Sequence, residues 1–383
     1  MGAAGIFSKQ GIFAGGVNSG QYINTHTRQT IGLCMIVKNE VSVIERCLAS
    51  VRPWLDFWLI VDTGSTDGTQ AKILEVMADM PGELHERPWR NFGANRTEAI
   101  QLLGKRTDYL FVIDADEILH IPKGFRLPEL EAGAYSLEMK HANLRYQRVC
   151  LVQTALEWRY EGVLHEYLKS DHECEKIRMS GPYVEYTTEG ARSRNPDKYR
   201  EDAAILTEAL RNEPDNVRYV YYLAQSWRDA GELQLALENY DRRAQMGGWE
   251  EEGWHAEYRA ATLAEATGQE SAIVIKRYLD AYNRRPARVE PLVRLATHFR
   301  LRKQYHNALM IMNQAMQIPV STDTLFVEIQ YYQWRRIDEY ALALYWTGDK
   351  ARCKEMYLSL LNDPETPRTE HPRYIDNIAW CDR

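Results

Sequence analysis

The sequence predicts an α/β domain built on a parallel sheet of Rossmann type, followed by an all-α domain of repeated helix pairs. Three observations carry that prediction. Short apolar runs alternate with helical patterns early in the chain, each such run ends in polar or acidic residues, and beyond Pro196 long amphipathic helices take over with a repeating skeleton of small residues. At 383 residues the chain also exceeds what one hydrophobic core usually serves.

The first firm element is Ile31-Gly-Leu-Cys-Met-Ile-Val37, a short apolar run of the kind covered on both faces in a parallel sheet. It ends at Lys38-Asn39-Glu40, after which Val41, Ile44, Leu48 and Val51 recur at helical spacing. Phe57-Trp-Leu-Ile-Val61 follows and closes on Asp62-Thr-Gly-Ser-Thr-Asp-Gly-Thr69. Gly64 and Gly68 give that turn conformational freedom, and Thr66 or Asp67 can cap a helix starting near Gln70. A helix over Phe92 to Leu103 leads to a third apolar run, Tyr109-Leu-Phe-Val-Ile113, which ends in Asp114-Ala-Asp116-Glu117. Open α/β sheets bind ligands outside the carboxyl ends of their strands, so the chemistry is expected along that edge. From Tyr135 to Tyr186 the pattern is strand-like and irregular, with Trp158, Tyr160, His165 and Tyr167 interspersed, and predicts extra strands and loops completing the site. Residues 1–29, rich in Gly, Ser, Asn and Thr, are expected to be a flexible or partly docked extension. This places the α/β domain at residues 30–195 and the helical domain at 196–383.

In the second half, Leu223-Ala224 with Trp227, Gly231, Ala236 and Tyr240 fits the small-residue skeleton of a tetratricopeptide unit. The offset from Ala224 to Ala236 returns from Ala260 to Ala272 and from Ala296 to Ala308, and a looser copy runs from Ala341 through Gly348 to Cys353. Small residues at those points let paired helices approach closely, and three copies in register argue against chance.

Composition narrows the function. The formal net charge of −7 gives no basic footprint for gripping nucleic acid, which disfavours such a partner. The six cysteines are scattered, without CxxC or metal-finger spacing, and Cys34 and Cys47 sit in apolar segments as small buried hydrophobes. A reducing, cytoplasmic compartment is the expectation. The Gly-rich start lacks the basic flank and long apolar core of a secretory signal, and no apolar run approaches the ~20 residues of a membrane span.

The chemistry gathers in two clusters. In an extended strand end, residues i and i+2 point to the same side, so Asp114 and Asp116 face one ligand. Two such carboxylates repel, and a hard divalent cation supplies the missing charge. That cation can hold a diphosphate and stabilise its departure. The second cluster, Asp62 to Gly68, joins a strand-tip carboxylate able to accept hydrogen bonds from a base or ribose to a Gly-rich turn at a helix N-terminus. The chain lacks GxxxxGK[ST] and GxGxxG, which disfavours kinases, ATPases and dehydrogenases.

Together, the segments LCMIVKNE, WLIVDTGSTDGT, NFGANRTEAI and YLFVIDADEIL resemble the family 2 glycosyltransferases with the GT-A fold. Within them the chain is similar to the branch fused to tetratricopeptide repeats, to which bacteriocin S-glycosyltransferases also belong. The resemblance runs from about Ile31 into the helical domain, where YYLAQSWRDAGE and RRAQMGGWEEE also match that branch. It implies metal-dependent, inverting transfer of a hexose from a nucleotide sugar, usually UDP-linked, with Mn2+ or Mg2+. By position, Asp62 would contact the base, and Asp114 and Asp116 the ribose, diphosphate and metal. Val37, Asn39, Glu40, Gly64 and Ser65 would line the donor site with them. Arg96 takes the place of an arginine the branch often carries, and a guanidinium suits a diphosphate. The stretch Trp158 to Glu166 resembles the family's W.G..HE pattern, so His165 is expected in the metal shell and Glu166 near the acceptor as a catalytic residue. Spacing does not rank Glu166 against Glu117 or Asp171 as the base that inversion requires. Were the acceptor a Cys thiol, little base assistance would be needed. Tyr199, Arg200 and Asp202 stand at the domain junction, where an ordinary helix start with paired charges is the simpler reading.

The expected acceptor is a protein or peptide, or a glycan, bound or dimerised over by the helical repeats, whose concave faces commonly hold extended peptides. The competing readings are a helical scaffold with a dead transferase-like domain, a nucleotidyltransferase, and sugar addition to a modified nucleic-acid base. A dead domain has no reason to keep two mutually repelling carboxylates.

Overall fold

The computed structural model of the chain describes residues 29–141, 144–187 and 189–383. The expectation for residues 1–28 lies outside the described residues. Strands β1 (Ile31–Val37), β2 (Phe57–Asp62), β3 (Gly82–Glu86) and β4 (Tyr109–Val112) alternate with helices α1 (Ile44–Val51), α2 (Thr69–Val76) and α3 (Phe92–Leu103). Beyond them come β5 (Glu117–His120), β6 (Ala134–His141), β7 (Leu144–Gln153), β8 (Arg159–Glu161), β9 (Tyr167–Lys169) and β10 (Lys176–Tyr186). Among the described residues, eight strands form one mixed sheet in the order β3-β2-β1-β4-β7-β6-β10-β5, and β8 and β9 pair separately. β1 runs parallel to both β2 and β4, whereas β7 lies antiparallel to β4 and to β6.

The apolar runs divide cleanly between two cores. Ile31, Leu33, Met35, Trp58, Ile60, Tyr109 and Phe111 pack on the side of α1 and α2. Cys34, Leu59, Val61, Leu110 and Val112 face α3 on the other side. Burial on both faces explains why these strands show no polar alternation. α3 begins where the pattern placed it, with the Asn91 side chain accepting from the Ala94 amide at 2.8 Å as its cap. At α2 it is Asp67 that accepts from the Thr69 amide, at 3.0 Å.

The helical run comprises α4 (Lys198–Asn212), α5 (Val217–Asp229), α6 (Leu233–Gln245), α7 (Glu250–Ala266), α8 (Ser271–Arg284), α9 (Glu290–Leu301), α10 (Tyr305–Ala315), α11 (Arg336–Thr347), α12 (Lys350–Asn362) and α13 (His371–Cys381). Ala224, Ala236, Ala260, Ala296 and Ala308 are fully buried where the helices interlock. Ala272 is a correction: it lies exposed at the start of α8, and Val274 is buried in its stead. The cause is a longer turn. α6 starts at Leu233 just after Gly231, whereas α8 starts at Ser271, one position later relative to Gly268. Counted from the helix start, Ala236, Val274, Ala308 and Cys353 are equivalent, and all are buried.

After α10 the chain returns across the repeats. The Glu251 carboxylate accepts from the Thr324 and Leu325 amides at 2.9 and 2.8 Å, and Arg288 donates to the Phe326 carbonyl at 2.9 Å. This part of the repeat surface is therefore covered by the chain itself. The sheet unit and the helices share a core in which Leu164 packs with Ala203, Leu206 and Leu210 of α4 and Val220 and Leu223 of α5. Among the described residues, no helix is long and apolar enough to cross a membrane.

Candidate active site

A cleft of about 560 Å3 opens beyond the carboxyl ends of β1, β2 and β4. Its wall includes Val37, Asn39, Glu40, Thr63, Arg96, Asp114 and Asp116 from the sheet side, with Lys198, Glu201 and Ile205 from α4. The sequence places these residues here because each apolar strand gives way to polar residues at the same sheet edge.

Two strand-end loops are stitched together. Asn39, at φ 58°, donates its amide to the Ser65 hydroxyl at 2.8 Å, and its side-chain oxygen accepts from the Thr66 amide at 2.8 Å. Asn tolerates this left-handed backbone better than most residues. The Val37 carbonyl accepts from the Thr63 amide at 2.9 Å. Asp62 is fully buried, and its Oδ1 accepts from the amides of Gly64 and Ser65 at 2.8 and 2.7 Å. Gly64 reaches those bonds at φ 107°, which favours glycine. The other oxygen, Oδ2, is buried with no hydrogen-bond partner among the described residues. An orphaned carboxylate oxygen is costly, and a ligand N–H would satisfy it.

Asp114 and Asp116 are neutralised unequally. Arg96 donates to Asp114 Oδ1 at 2.5 Å and to Glu166 Oε1 at 2.7 Å, and Arg148 stands 3.9 Å from Asp114 Oδ2. Burial acts upward on the Asp114 carboxyl, but the two guanidinium groups overcome it and hold its pKa below the ordinary value. Asp116 has no ion-pair partner among the described residues. Burial, with the Asp114 charge beside it, pushes its pKa up. Glu40, across the cleft, is pushed up to about 7 by burial and then by Asp116 and Asp67, although the Ala191 amide donates to it at 3.2 Å. Among the cleft's carboxylates, Asp116 and Glu40 are thus short of positive charge, whereas Asp114 is already supplied.

Several site expectations meet a different geometry. No three His, Cys, Asp or Glu side chains gather as a metal cluster among the described residues, so Asp114, Asp116 and His165 do not stand together as a ready-made shell. His165 instead stacks on Tyr222 of α5 at 3.9 Å, at φ 53°, and its carbonyl accepts from Arg218 at 2.7 Å. Loss of hydration on the covered ring face, with Arg218, Lys198 and Arg192 nearby, pushes its pKa down to about 4. It joins the sheet unit to the helices. Glu166 lies behind Arg96, and Asp171 pairs with Arg159 at 2.8 Å. Tyr199 and Arg200 are exposed, whereas Asp202 is buried against Arg192.

The sequence did not single out Arg148, which clasps Glu117 at 2.8 Å from β7, or Gly190, whose backbone lies against Asp116. Nor did it single out Lys198. The signal that could have found Lys198 was its spacing to Glu201 and Ile205, which puts all three on one helix face.

The structure is that of a two-part protein, a mixed α/β sheet with an acidic cleft at its strand ends joined to a run of paired helices. Residues 33–123 match the family model Glycosyl transferase family 2, so that part of the α/β unit carries a family 2 glycosyltransferase domain, and tetratricopeptide-like repeats follow it in the chain. The chain is 40% identical over 144 residues to a TPR repeat-containing protein of Synechococcus elongatus, covering 36% of this chain and 34% of that protein. It is 33% identical over 101 residues to the lipopolysaccharide core biosynthesis glycosyltransferase LpsC of Rhizobium meliloti, covering 26% of this chain and 36% of that protein. The chain spans about a third of the length of the curated relatives it matches. Among solved structures it is similar to glucosyl-3-phosphoglycerate synthase from Mycobacterium tuberculosis in complex with Mn2+, UDP and phosphoglyceric acid. That likeness has a TM-score of 0.21 and 21% identity, over 24% of this chain and 34% of the other.

Proposed function

We propose that the protein is a cytoplasmic, metal-dependent inverting glycosyltransferase that moves a hexose from a nucleotide sugar, most simply a UDP-sugar, to a protein, peptide or glycan acceptor. The observation that carries this reading is the unequal neutralisation of Asp114 and Asp116. A cleft that fixes one carboxylate with two arginines and leaves its neighbour under-neutralised suits a divalent cation on Asp116, with Glu40 adding to the negative field. Mn2+ or Mg2+ held there would neutralise the donor diphosphate and stabilise the leaving nucleoside diphosphate.

The chain's own residues do the remaining work. Asp62 Oδ2, buried and unpartnered, accepts an N–H of the nucleobase, while its Oδ1 is locked by Gly64 and Ser65. Arg96 holds Asp114 rigid so that it can take the ribose hydroxyls. Glu166 positions that guanidinium rather than taking the acceptor's proton. The acceptor enters between the strand ends and α4.

A donor screen by thermal denaturation tests the reading. One nucleotide sugar together with Mn2+ should raise the midpoint by about 2 °C or more at a hundred times its dissociation constant. Metal alone and sugar alone should do much less. No response to any pair of UDP-, GDP-, ADP- or dTDP-sugar with Mn2+ would remove the enzyme assignment.

Gly190 gives a sharper local test. A Cβ built there lies 2.7 Å from Asp116 Oδ2, so the side chain that must yield is the proposed ligand itself. Gly190→Ala should keep the folding midpoint nearly unchanged and lower turnover about a hundredfold, since misplacements near 1 Å cost that much. Near-normal turnover in this variant would mean that Asp116 is free to move without consequence.

A further inference from the structure

We propose that Lys198, the first residue of α4, completes the donor pocket by holding the diphosphate, so that the helical repeats supply part of the catalytic centre. The inference rests on the nucleotide-sugar reading above and extends it to a residue outside the family 2 domain.

Lys198, Glu201 and Ile205 lie on one face of α4, and all three line the cleft. Among the described residues, four cations stand on the cleft wall: Lys38, Arg96, Arg192 and Lys198. Arg96 is committed to Asp114 and Glu166. Arg192 is ion-paired with the buried Asp202, and its guanidinium lies 4.6 Å from the centre of the Phe92 ring. Lys38 is exposed. Lys198 is half-buried and makes no ion pair among the described residues; its ammonium stands 5.3 Å from the Tyr199 ring.

A half-buried ammonium without a bonded anion costs free energy until an anionic ligand arrives. Burial and the Arg192 charge depress its pKa, while Asp116 and Asp229 act in the opposite sense and so lie within its electrostatic reach. A divalent cation on Asp116 would offset that attraction, and the phosphates of a bound donor would then offer Lys198 a bonded anion on the cleft side. The apolar contacts of Leu164 with Ala203, Leu206 and Leu210 fix α4 against the sheet unit, so this lysine is aimed by the fold. Carrying the repeats on the same chain then has a chemical reason, because α4 gives the cleft a half-buried cation that is in no ion pair among the described residues.

The test measures UDP and UMP binding by calorimetry, with Mn2+, on the full chain and on Lys198→Met and Lys198→Arg. Losing one charge-assisted phosphate contact should weaken UDP about tenfold or more in Lys198→Met, with UMP much less affected and Lys198→Arg close to wild type. Equal UDP affinity in Lys198→Met and wild type overturns the assignment. A raised acceptor KM with unchanged donor KM also overturns it, by placing the lysine in the acceptor subsite. If the wild-type chain binds no nucleoside diphosphate, whether UDP, GDP, ADP or dTDP, the nucleotide-sugar reading itself has failed, a result distinct from failure of Lys198 alone.

Discussion

Replacing Asp116 by Asn is expected to lower metal-dependent turnover by at least about a hundredfold while leaving the metal-free protein as stable as wild type or slightly more so. Replacing Asp114 by Asn should also abolish turnover, but it should destabilise. The opposite signs follow from the two environments. The Asp116 carboxyl has a pKa raised by burial and by Asp114, so its ionised form is disfavoured in the folded state. Its favourable contribution is complete below the ordinary carboxylate pKa and is lost as pH rises through the folded value. At neutral pH the charge is therefore a liability that Asp116→Asn removes, worth less than about 1 kcal/mol in a partly open site. Asp114 is held below its ordinary value by Arg96 and Arg148. Its contribution is present above the ordinary carboxylate pKa and is lost as pH falls through the folded value. The Asp114→Asn change should cost about 1–2 kcal/mol at pH 7, less than loss of a sealed ion pair, because 35% of the Asp114 side chain reaches solvent. Urea unfolding of both variants in EDTA at pH 7 and pH 4 measures this. The two variants should lie on opposite sides of wild type at pH 7. Destabilisation of both by the same amount would mean that the carboxylates share one environment and that the cation site is wrongly placed.

How far the sequence shows this depends on the range of the interactions involved. Strands β1, β2 and β4 were legible because burial on both faces leaves an uninterrupted apolar run, and α3 because Asn91 caps it locally. β3, Gly82-Glu-Leu-His-Glu86, went unnoticed: it is an edge strand, largely half-buried, and its composition looks like a loop. The repeat skeleton was legible, yet Ala272 misled because a turn lengthened by one residue moved Val274 into the interlocking position. In the site, strand-end placement located Asp62, Asp114 and Asp116 correctly at one sheet edge. What local pattern does not contain is which charges meet. Arg148 reaches Glu117 across 31 residues because β7 returns antiparallel beside β4, pairing Phe111 with Leu151. Arg96 reaches Glu166 across 70 residues because β8 packs near α3, with the Tyr160 amide donating to Thr97 at 2.9 Å. Such pairings decide which aspartate is left without a counter-charge, and only the assembled fold contains them.

Arg96→Met is expected to give the largest loss of stability of any single change in the cleft, about 3 kcal/mol, because it strands two carboxylates at once. The side chains of Arg96 and Glu166 are 14% and 11% exposed, and the Tyr160 ring lies 5.6 Å from the guanidinium. With Arg96 gone, Glu166 loses its ion pair, and Asp114 keeps only Arg148 at 3.9 Å. Arg96→Lys should fail nearly as badly, since Nε serves Glu166 and Nη2 serves Asp114, a fork that one ammonium does not reproduce. The double variant Arg96→Met with Glu166→Gln removes one stranded charge and should recover part of the loss, with a coupling energy of about 1–2 kcal/mol in the unfolding cycle. Turnover should stay lost in the double variant because Asp114 is still unheld, and Glu166→Gln alone should reduce kcat only modestly while loosening Arg96. The contrary pattern is informative. If Glu166→Gln alone abolishes kcat at unchanged stability and the double variant shows no coupling, Glu166 is the proton acceptor among the three carboxylates the sequence left open for that role, and its contact with Arg96 orients a base rather than bracing an arginine.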